Sequence, residues 1–250
     1  MYTDCKNLYN FLMKILKNRA FTLAEVLITL GIIGVVAAMT IPSLMTTFQK
    51  RETVSKLKST YSIISQAIKL SENDNGELET WDYTLNNEQW VDTYLKNYMK
   101  MMTVNGYQLK MYKWKNLDGS DINNWTPAKY ALMNGVYVSI FVNQMSDAGN
   151  FVKQGVWFFI DLNGNKGPNR MGRDLFVMSI YPYLNSNEKF VMGAHDQCGS
   201  GVIHKFLTRE QLLNTGCATC KKDYSGLGWA CSRLIQLDNW QISKDYPWIK

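Results

Sequence analysis

One carboxylate stands at the start of a long apolar segment of the chain. Glu25 is followed by residues 26–49, which contain no charged side chain. We name residues 26–49 the apolar segment. As a helix at about 1.5 Å per residue it reaches ~36 Å, enough to cross the hydrocarbon core of a bilayer. An ionisable group there is costly to bury, so Glu25 is a candidate functional residue.

Oxygen-bearing side chains are concentrated in residues 161–174, named here the Asp loop. The four candidate ligands are Asp161, Asn163, Asn165 and Asp174. Carboxylate and amide oxygens are the ligands that Ca²⁺ takes in proteins, so a calcium site is one interpretation. The loop departs from the helix-loop-helix calcium pattern, because Lys166 stands where glycine is needed and Gly172 where glutamate is needed. The other interpretation is a turn in which Asx side chains bind the backbone.

Four of the five cysteines cluster near the C-terminus. They are Cys198, Cys217, Cys220 and Cys231. An even number of cysteines beyond a membrane-targeting segment is typical of disulfides in an oxidising compartment. Of the alternative pairings we favour Cys220–Cys231 and Cys198–Cys217. The spacings from His195 to Cys198 and from Cys217 to Cys220 also suit zinc, but zinc binding leaves Cys231 unpaired.

The sequence offers little for catalysis. It has two histidines, His195 and His204, which we interpret as polar surface or loop residues. We find no Ser/His/Asp set, phosphate-binding glycine loop or carboxylate pair of the kind that enzymes use. We therefore expect no enzymatic activity and no cofactor other than the calcium already considered. The net charge of +6 does not by itself indicate a nucleic-acid partner.

The basic residues before the apolar segment predict its orientation. Lys14, Lys17 and Arg19 precede it, so the positive-inside rule places the N-terminus in the cytoplasm and the rest of the chain outside. A secretory signal peptide cut after Ala38 or a plain single-pass anchor would also have a basic start and an apolar run. Both alternatives leave Glu25 unexplained.

Residues 14–49 resemble the processing site and N-terminal helix of type IV pilins and pseudopilins. The resemblance implies cleavage by a prepilin peptidase between Ala20 and Phe21, with N-methylation of Phe21. It departs from the family at Ala20, where glycine is usual. It also implies that Glu25 neutralises the Phe21 ammonium of a neighbouring subunit and sets the register of assembly.

Two further residues of the apolar segment fit helix packing in such a filament. Gly34 permits close approach between helices. Pro42 lacks a backbone donor and is expected to kink or locally open the helix.

The remaining pattern predicts an α+β, pilin-like fold. The helix should continue to Asn73, with an apolar stripe made of Val54, Leu57, Tyr61, Ile64 and Ile68. A second helix is predicted over 88–102. Strands are predicted over 107–114, 135–142, 156–162, 175–181 and 233–237. The long helix would pack on an antiparallel sheet of four or five strands, with a disulfide-stapled C-terminal region.

The lysines of residues 110–115 allow two interpretations. We prefer an edge strand protected by lysines. A mixture of aromatic and basic residues also suits single-stranded nucleic acid. Tryptophans near the C-terminus are expected to cover the sheet.

With these patterns, the resemblance implies a leader at 1–20, a transmembrane assembly helix at 21–49 and an extracytoplasmic domain at 50–250. The expected function is that of a structural subunit of a type IV pilus or a type II secretion-like filament. Expected partners are other subunits, prepilin peptidase, the inner-membrane assembly platform and membrane lipid. The chain would reside in the cytoplasmic membrane before assembly and in a periplasmic or surface filament afterwards. The alternative is a membrane-anchored binding module for DNA or a surface ligand.

Overall fold

A computed structural model describes most of the chain. The described residues are 21–104, 114–122, 128–144, 154–164, 166–194, 203–214, 216, 218–221 and 227–248. The chain divides into two compact units, Met1–Gln49 and Lys50–Lys250. The predicted leader, including Ala20, lies outside the described residues.

The described part contains four α-helices and six strands. The helices are α1 (Leu23–Asn75), α2 (Asn87–Tyr94), α3 (Arg209–Asn214) and α4 (Cys231–Leu237), with short single-turn helices at Leu78–Thr80 and His204–Phe206. The strands are β1 (Met101–Thr103), β2 (Ala128–Leu132), β3 (Tyr137–Gln144), β4 (Gln154–Asp161), β5 (Leu175–Ile180) and β6 (Phe190–Met192).

The described part of the first unit is helical and apolar. Its large hydrophobic side chains are exposed in the isolated chain, Phe21 by 83%. Among the described residues, α1 is the one helix long and apolar enough to cross a membrane. It is unbroken at Pro42, so the predicted local opening is absent from this structure. Thr46 Oγ1 donates to the Pro42 carbonyl (2.9 Å), which gives that carbonyl an additional donor.

In the second unit, the later part of α1 packs through the predicted stripe. Leu57, Ile64 and Ile68 are buried, and Val54 and Tyr61 pack against the same core. The helix ends at Asn75, two residues beyond the predicted end at Asn73. Gly76 follows with φ +81°, a backbone conformation that favours glycine and commonly ends helices.

The sheet is antiparallel, and its strands lie in sequence order from β1 to β6. The ladder between β3 and β4 is the longest, running from Tyr137 opposite Asp161 to Gln144 opposite Gln154. Strand β5 lies between β4 and β6 and is buried at every position. Helix α4 packs against it, and the apolar side chains of β5 belong to the same core cluster as Leu57 and Ile64 of α1. The predicted α+β fold is confirmed.

Three predicted strands are confirmed and two helix or strand assignments are wrong. The segments 135–142, 156–162 and 175–181 correspond to β3, β4 and β5 with small shifts. Residues 105–113, which hold most of the predicted edge strand, lie outside the described residues. The second helix ends at Tyr94, and Met101 and Met102, which were predicted to be helical, belong instead to strand β1, which pairs with β2.

The last predicted strand is helix α4. Cys231, Leu234 and Ile235 are all buried, and their spacing of three and four is helical. The run is too short for periodicity to decide between the two elements. Ser232 Oγ donates to the Val177 carbonyl (2.6 Å), which fixes α4 on β5.

The C-terminal tryptophans are divided between the sheet and α1. Trp229 packs edge-on against Trp157 and Phe159 of β4, as predicted. Trp240 contacts Tyr61 of α1, with ring centroids 5.8 Å apart. Trp240 therefore covers α1, whereas the sequence predicted that it covers the sheet. The reason is a change of chain direction after α4, where Asn239 and Trp240 both have positive φ.

Candidate functional site

Glu25 and Thr22 form a reciprocal cap at the start of α1. The Thr22 backbone N–H and hydroxyl donate to Glu25 Oε2 at 2.8 and 2.9 Å. In return, Thr22 Oγ1 accepts from the Glu25 backbone N–H at 3.2 Å. This is the capping box, in which a threonine and a glutamate three residues later satisfy two orphan donors of the helix end. Sequence reasoning missed Thr22, although the Thr-x-x-Glu spacing carries the signal.

The other predicted assembly residues lie on the exposed surface of the isolated chain. Phe21 immediately precedes Thr22 of the cap in sequence and is largely exposed. A Cβ added at Gly34 would meet nothing within 4 Å, which leaves the close approach of another helix unobstructed there. The roles of Phe21, Glu25, Gly34 and Pro42 in assembly stay predictions, as does the role of Ala20 in cleavage.

The two carboxylates of the Asp loop organise its backbone. Asp161 Oδ1 accepts from the N–H groups of Asn163 (3.1 Å) and Gly164 (2.8 Å). Asp174 accepts from the N–H groups of Asn169 (2.9 Å) and Arg170 (2.7 Å). The Asp161 contacts form the Asx-type turn of the second interpretation, whereas Asp174 accepts from residues four and five positions earlier in the chain.

Burial sets the protonation of this loop. Desolvation raises the pKa of Asp161 to about 7, partly opposed by the backbone hydrogen bonds from Asn163 and Gly164. Desolvation also raises the pKa of Asp174. Asn163 Nδ2 donates to Asp174 Oδ2 (2.9 Å), which brings these two predicted ligands together.

The calcium interpretation stays a prediction. Asn165 lies outside the described residues. Among those described, no group of three or more His, Cys, Asp or Glu side chains is arranged to hold a metal ion. Asn163 Oδ1 is buried and accepts no hydrogen bond from a described residue.

One of the two favoured disulfides is confirmed. Cys220 and Cys231 are bonded, and both are fully buried. Cys220 is therefore not a zinc ligand in this structure. Cys198, Cys217 and His195 lie outside the described residues.

His204 is buried, which corrects its interpretation as a surface or loop residue. It begins a single-turn helix and is only 1% exposed. Its Nδ1 accepts the Ala194 backbone N–H at 3.0 Å. Its role in the described chain is therefore to satisfy a buried backbone donor beside β6.

Arg209 fastens residues 238–248, named here the C-terminal tail. Its guanidinium binds Asp238 through Nε (2.6 Å) and Nη2 (3.0 Å). It also binds Asp245 through Nη1 (2.8 Å) and Nη2 (2.7 Å). A planar guanidinium suits such paired contacts. Arg209 lies 29 and 36 residues before the two carboxylates, so no local pattern predicted the clamp.

The clamp predicts a pH dependence. Hydrogen bonds from Arg209 and then Ser243 hold the pKa of Asp245 below its ordinary value of 3.8. A depressed carboxylate pKa contributes stability above the unfolded pKa, and that stability is lost as pH falls through the folded pKa. Asp245→Asn should therefore lower the free energy of unfolding at pH 7 by up to about 1 kcal/mol, since the pair is solvent-exposed. The difference from wild type should vanish in acid below the folded pKa.

Urea unfolding of wild type and Asp245→Asn, at pH 7 and in acid below the folded pKa of Asp245, measures this difference. Asp92→Asn is the matched control, because Asp92 also forms an exposed ion pair, with Lys96 at 2.8 Å. Asp92 lies in α2 and Lys96 just beyond its end, and such an exposed pair should contribute about 0.2–1 kcal/mol. An Asp245→Asn effect that persists unchanged in acid would contradict the assignment.

Two family models match the chain, and the first defines its class. The model described as Prokaryotic N-terminal methylation motif matches residues 15–41, which include Phe21, the Thr22–Glu25 cap and Gly34. Together with the long apolar helix, this match supports a prepilin-type N-terminal segment, of the kind found in type IV pilins and pseudopilins. The exposed apolar helix is consistent with a membrane-anchored, single-pass protein.

The second match gives the family. The model described as Family of unknown function (DUF6613) matches residues 43–249. Because this match covers most of the chain, the protein belongs to that family. No curated protein and no solved structure matches the chain.

Proposed function

We propose that this chain is the precursor of a structural subunit in a type IV pilus or a type II secretion-like filament. The observation that carries the proposal is Glu25, a carboxylate in the first turn of an exposed apolar helix, inside the matched methylation motif. Prepilin peptidase cleaves between Ala20 and Phe21 on the cytoplasmic side, and Phe21 becomes the N-terminus. The subunit remains in the membrane through residues 26–49 until it is assembled.

Assembly follows from the charges that cleavage creates. The new Phe21 ammonium and the Glu25 carboxylate are each costly to bury in lipid. Pairing the ammonium with Glu25 of a neighbouring subunit offsets both costs and fixes the axial register of the two helices. Gly34 permits close helix packing, and Pro42 supplies a place where the helix opens in the filament.

The physical work of the protein is assembly and not catalysis. The domain of residues 50–250 lies outside the cytoplasmic membrane and carries whatever is specific to this filament. Its partners are other subunits, prepilin peptidase and the assembly platform of the inner membrane.

Intact mass and N-terminal peptide mapping of the membrane-extracted protein test this proposal. We expect a mature chain that begins at Phe21, carrying an N-methyl group. A chain that begins at Met39 would mean an ordinary secreted protein. An intact leader, in a host with active prepilin peptidase, would mean a plain anchor and would overturn the proposal.

We also propose that the Asp loop binds calcium. At a calcium concentration of 100 times Kd, binding to the folded state alone would add about 2.7 kcal/mol to the free energy of unfolding. Thermal unfolding in calcium and in EDTA measures this gain, and Asp174→Asn should abolish most of it. Asp118→Asn is the control, because Asp118 lies in another Asx turn, where Oδ1 accepts from the Ser120 N–H at 2.8 Å. Equal melting temperatures in calcium and EDTA would contradict the proposal.

A further inference from the structure

Three distant segments of the chain bring two cations to one tryptophan ring. Lys50 Nζ of α1 lies 5.8 Å from the centroid of the Trp248 ring. Arg173 Cζ of the Asp loop lies 4.6 Å from the same centroid. All three side chains are half-buried. We name this arrangement of Lys50, Arg173 and Trp248 the Trp248 site.

Neighbouring contacts hold the Trp248 site in place. Tyr246 OH donates to the Gly172 carbonyl at 2.7 Å, which ties the C-terminal tail to the residue before Arg173. The Arg209 clamp holds Asp245 on the other side of Tyr246. Lys56 Nζ donates to the Leu162 carbonyl at 3.5 Å, which joins α1 to the Asp loop. A ligand of the site would therefore meet groups that are already ordered.

The carboxylates closest in sequence to the Trp248 site are already engaged. Glu52 pairs with Lys56 at 3.0 Å. Asp174 is buried and accepts backbone N–H groups. Asp245 pairs with the guanidinium of Arg209. Two cations, Lys50 and Arg173, therefore lie on one tryptophan ring, with the exposed Arg51 next to Lys50 in sequence.

The geometry points to the phosphate groups of anionic phospholipids as the ligand of the Trp248 site. This inference rests on the proposed function in one respect, namely that residues 26–49 cross the membrane. Lys50 is the first charged residue after them, so chain connectivity places it at the lipid headgroups. Tryptophan is enriched at that level of a bilayer, and long lysine and arginine side chains near the end of a membrane helix extend towards it. Basic residues at the surface are attracted by anionic lipid, each contributing to adhesion.

Thermal unfolding of the full mature chain in nanodiscs tests the inference. We compare phosphatidylcholine nanodiscs with nanodiscs that also contain phosphatidylglycerol. The wild-type chain should melt about 4 °C higher in the anionic discs, as two interfacial cations imply for a domain of this size. The double variant Lys50→Gln/Arg173→Gln should lose most of that difference. Its melting temperature in phosphatidylcholine discs shows whether it folds.

Lys58→Gln is the matched control. Lys58 Nζ also lies 5.8 Å from a tryptophan centroid, that of Trp240. It stands ~12 Å further along the helix axis than Lys50, away from the apolar segment. This variant loses an equivalent cation–π contact and should keep the full lipid difference.

Four results would overturn the inference. One is an equal wild-type melting temperature in both lipids, and another is an equal loss of the lipid difference in Lys58→Gln. A third is the same stabilisation by inorganic phosphate in phosphatidylcholine discs, which would indicate a site for free anions. The fourth is failure of the chain to co-elute with the discs, which alone would also remove the membrane crossing on which the proposed function depends.

Discussion

Replacing Glu25 with glutamine should reduce incorporation into filaments at least tenfold while leaving the start of α1 intact. Glutamine Oε1 can still accept the Thr22 N–H that Glu25 accepts at 2.8 Å, so the cap retains its main bond. A neutral amide cannot offset the charge of the Phe21 ammonium in lipid, a term of several kcal/mol. The measurement is the fraction of subunit recovered in sheared filaments, compared with the fraction in the membrane.

Thr22→Ala is the complementary variant. It removes the hydroxyl that accepts the Glu25 N–H at 3.2 Å but leaves the carboxylate charged. Losing such a cap costs about 1 kcal/mol of helix stability, so incorporation should remain close to that of wild type. If Thr22→Ala abolished assembly and Glu25→Gln did not, Glu25 would act as a helix cap and its proposed role in charge neutralisation would be wrong.

Removing the Cys220–Cys231 disulfide should produce the largest loss of stability in the second unit. The bonded residues are 11 apart in sequence, and closing a loop of this length contributes about 3 kcal/mol in the chain-entropy model. Both cysteines are fully buried, so a double alanine variant also loses packing. We expect the melting temperature to fall by roughly 6–12 °C in a domain of this size.

Reduction of the wild-type chain provides the control. Thiol reagent should lower the wild-type melting temperature to that of Cys220→Ala/Cys231→Ala, if this bridge is the one that matters. A larger fall on reduction would reveal a second stabilising bridge, which the pairing Cys198–Cys217 predicts. An oxidised double variant as stable as wild type would show that the bridge does not constrain the fold.

Gly172 shows how closely this region is packed around the disulfide. A Cβ at Gly172 would lie 2.9 Å from Cys231 Sγ, and Gly172 has φ +77°. The Asp loop, α4 and the C-terminal tail therefore meet at one point, with Tyr246 bonded to the Gly172 carbonyl. The sequence suggested a turn in this loop, but the partners of that turn come from segments about 60 to 75 residues later in the chain.

Local sequence patterns predicted the elements that are determined by residues close together in the chain. Residues 26–49 lack charge over a length that spans a bilayer, and the stripe that includes Leu57, Ile64 and Ile68 repeats with the helical period. Both signals are read within a few turns of one helix, so the long helix and its buried face were predicted correctly. The strands β3, β4 and β5 were also found, because buried aromatic and β-branched runs between turns are a strong signal. The cap at Thr22 was equally local and could have been predicted.

Only the tertiary structure decided the features whose partners are distant. Strand β1 exists because Met101 pairs with Leu132, and its three residues carry too little pattern to predict it. Helix α4 was mistaken for a strand, since a short apolar run acquires its form from the surface that it covers. Arg209 contacts two carboxylates that lie far from it in sequence. The ring of Trp248 likewise contacts two cations from distant segments. The sequence by itself determined the long apolar helix and its methylation-type motif, because both depend on composition and spacing within one segment. Folding determined the buried His204, the Arg209 clamp and the Trp248 site, because each depends on which distant surfaces the hydrophobic core brings together.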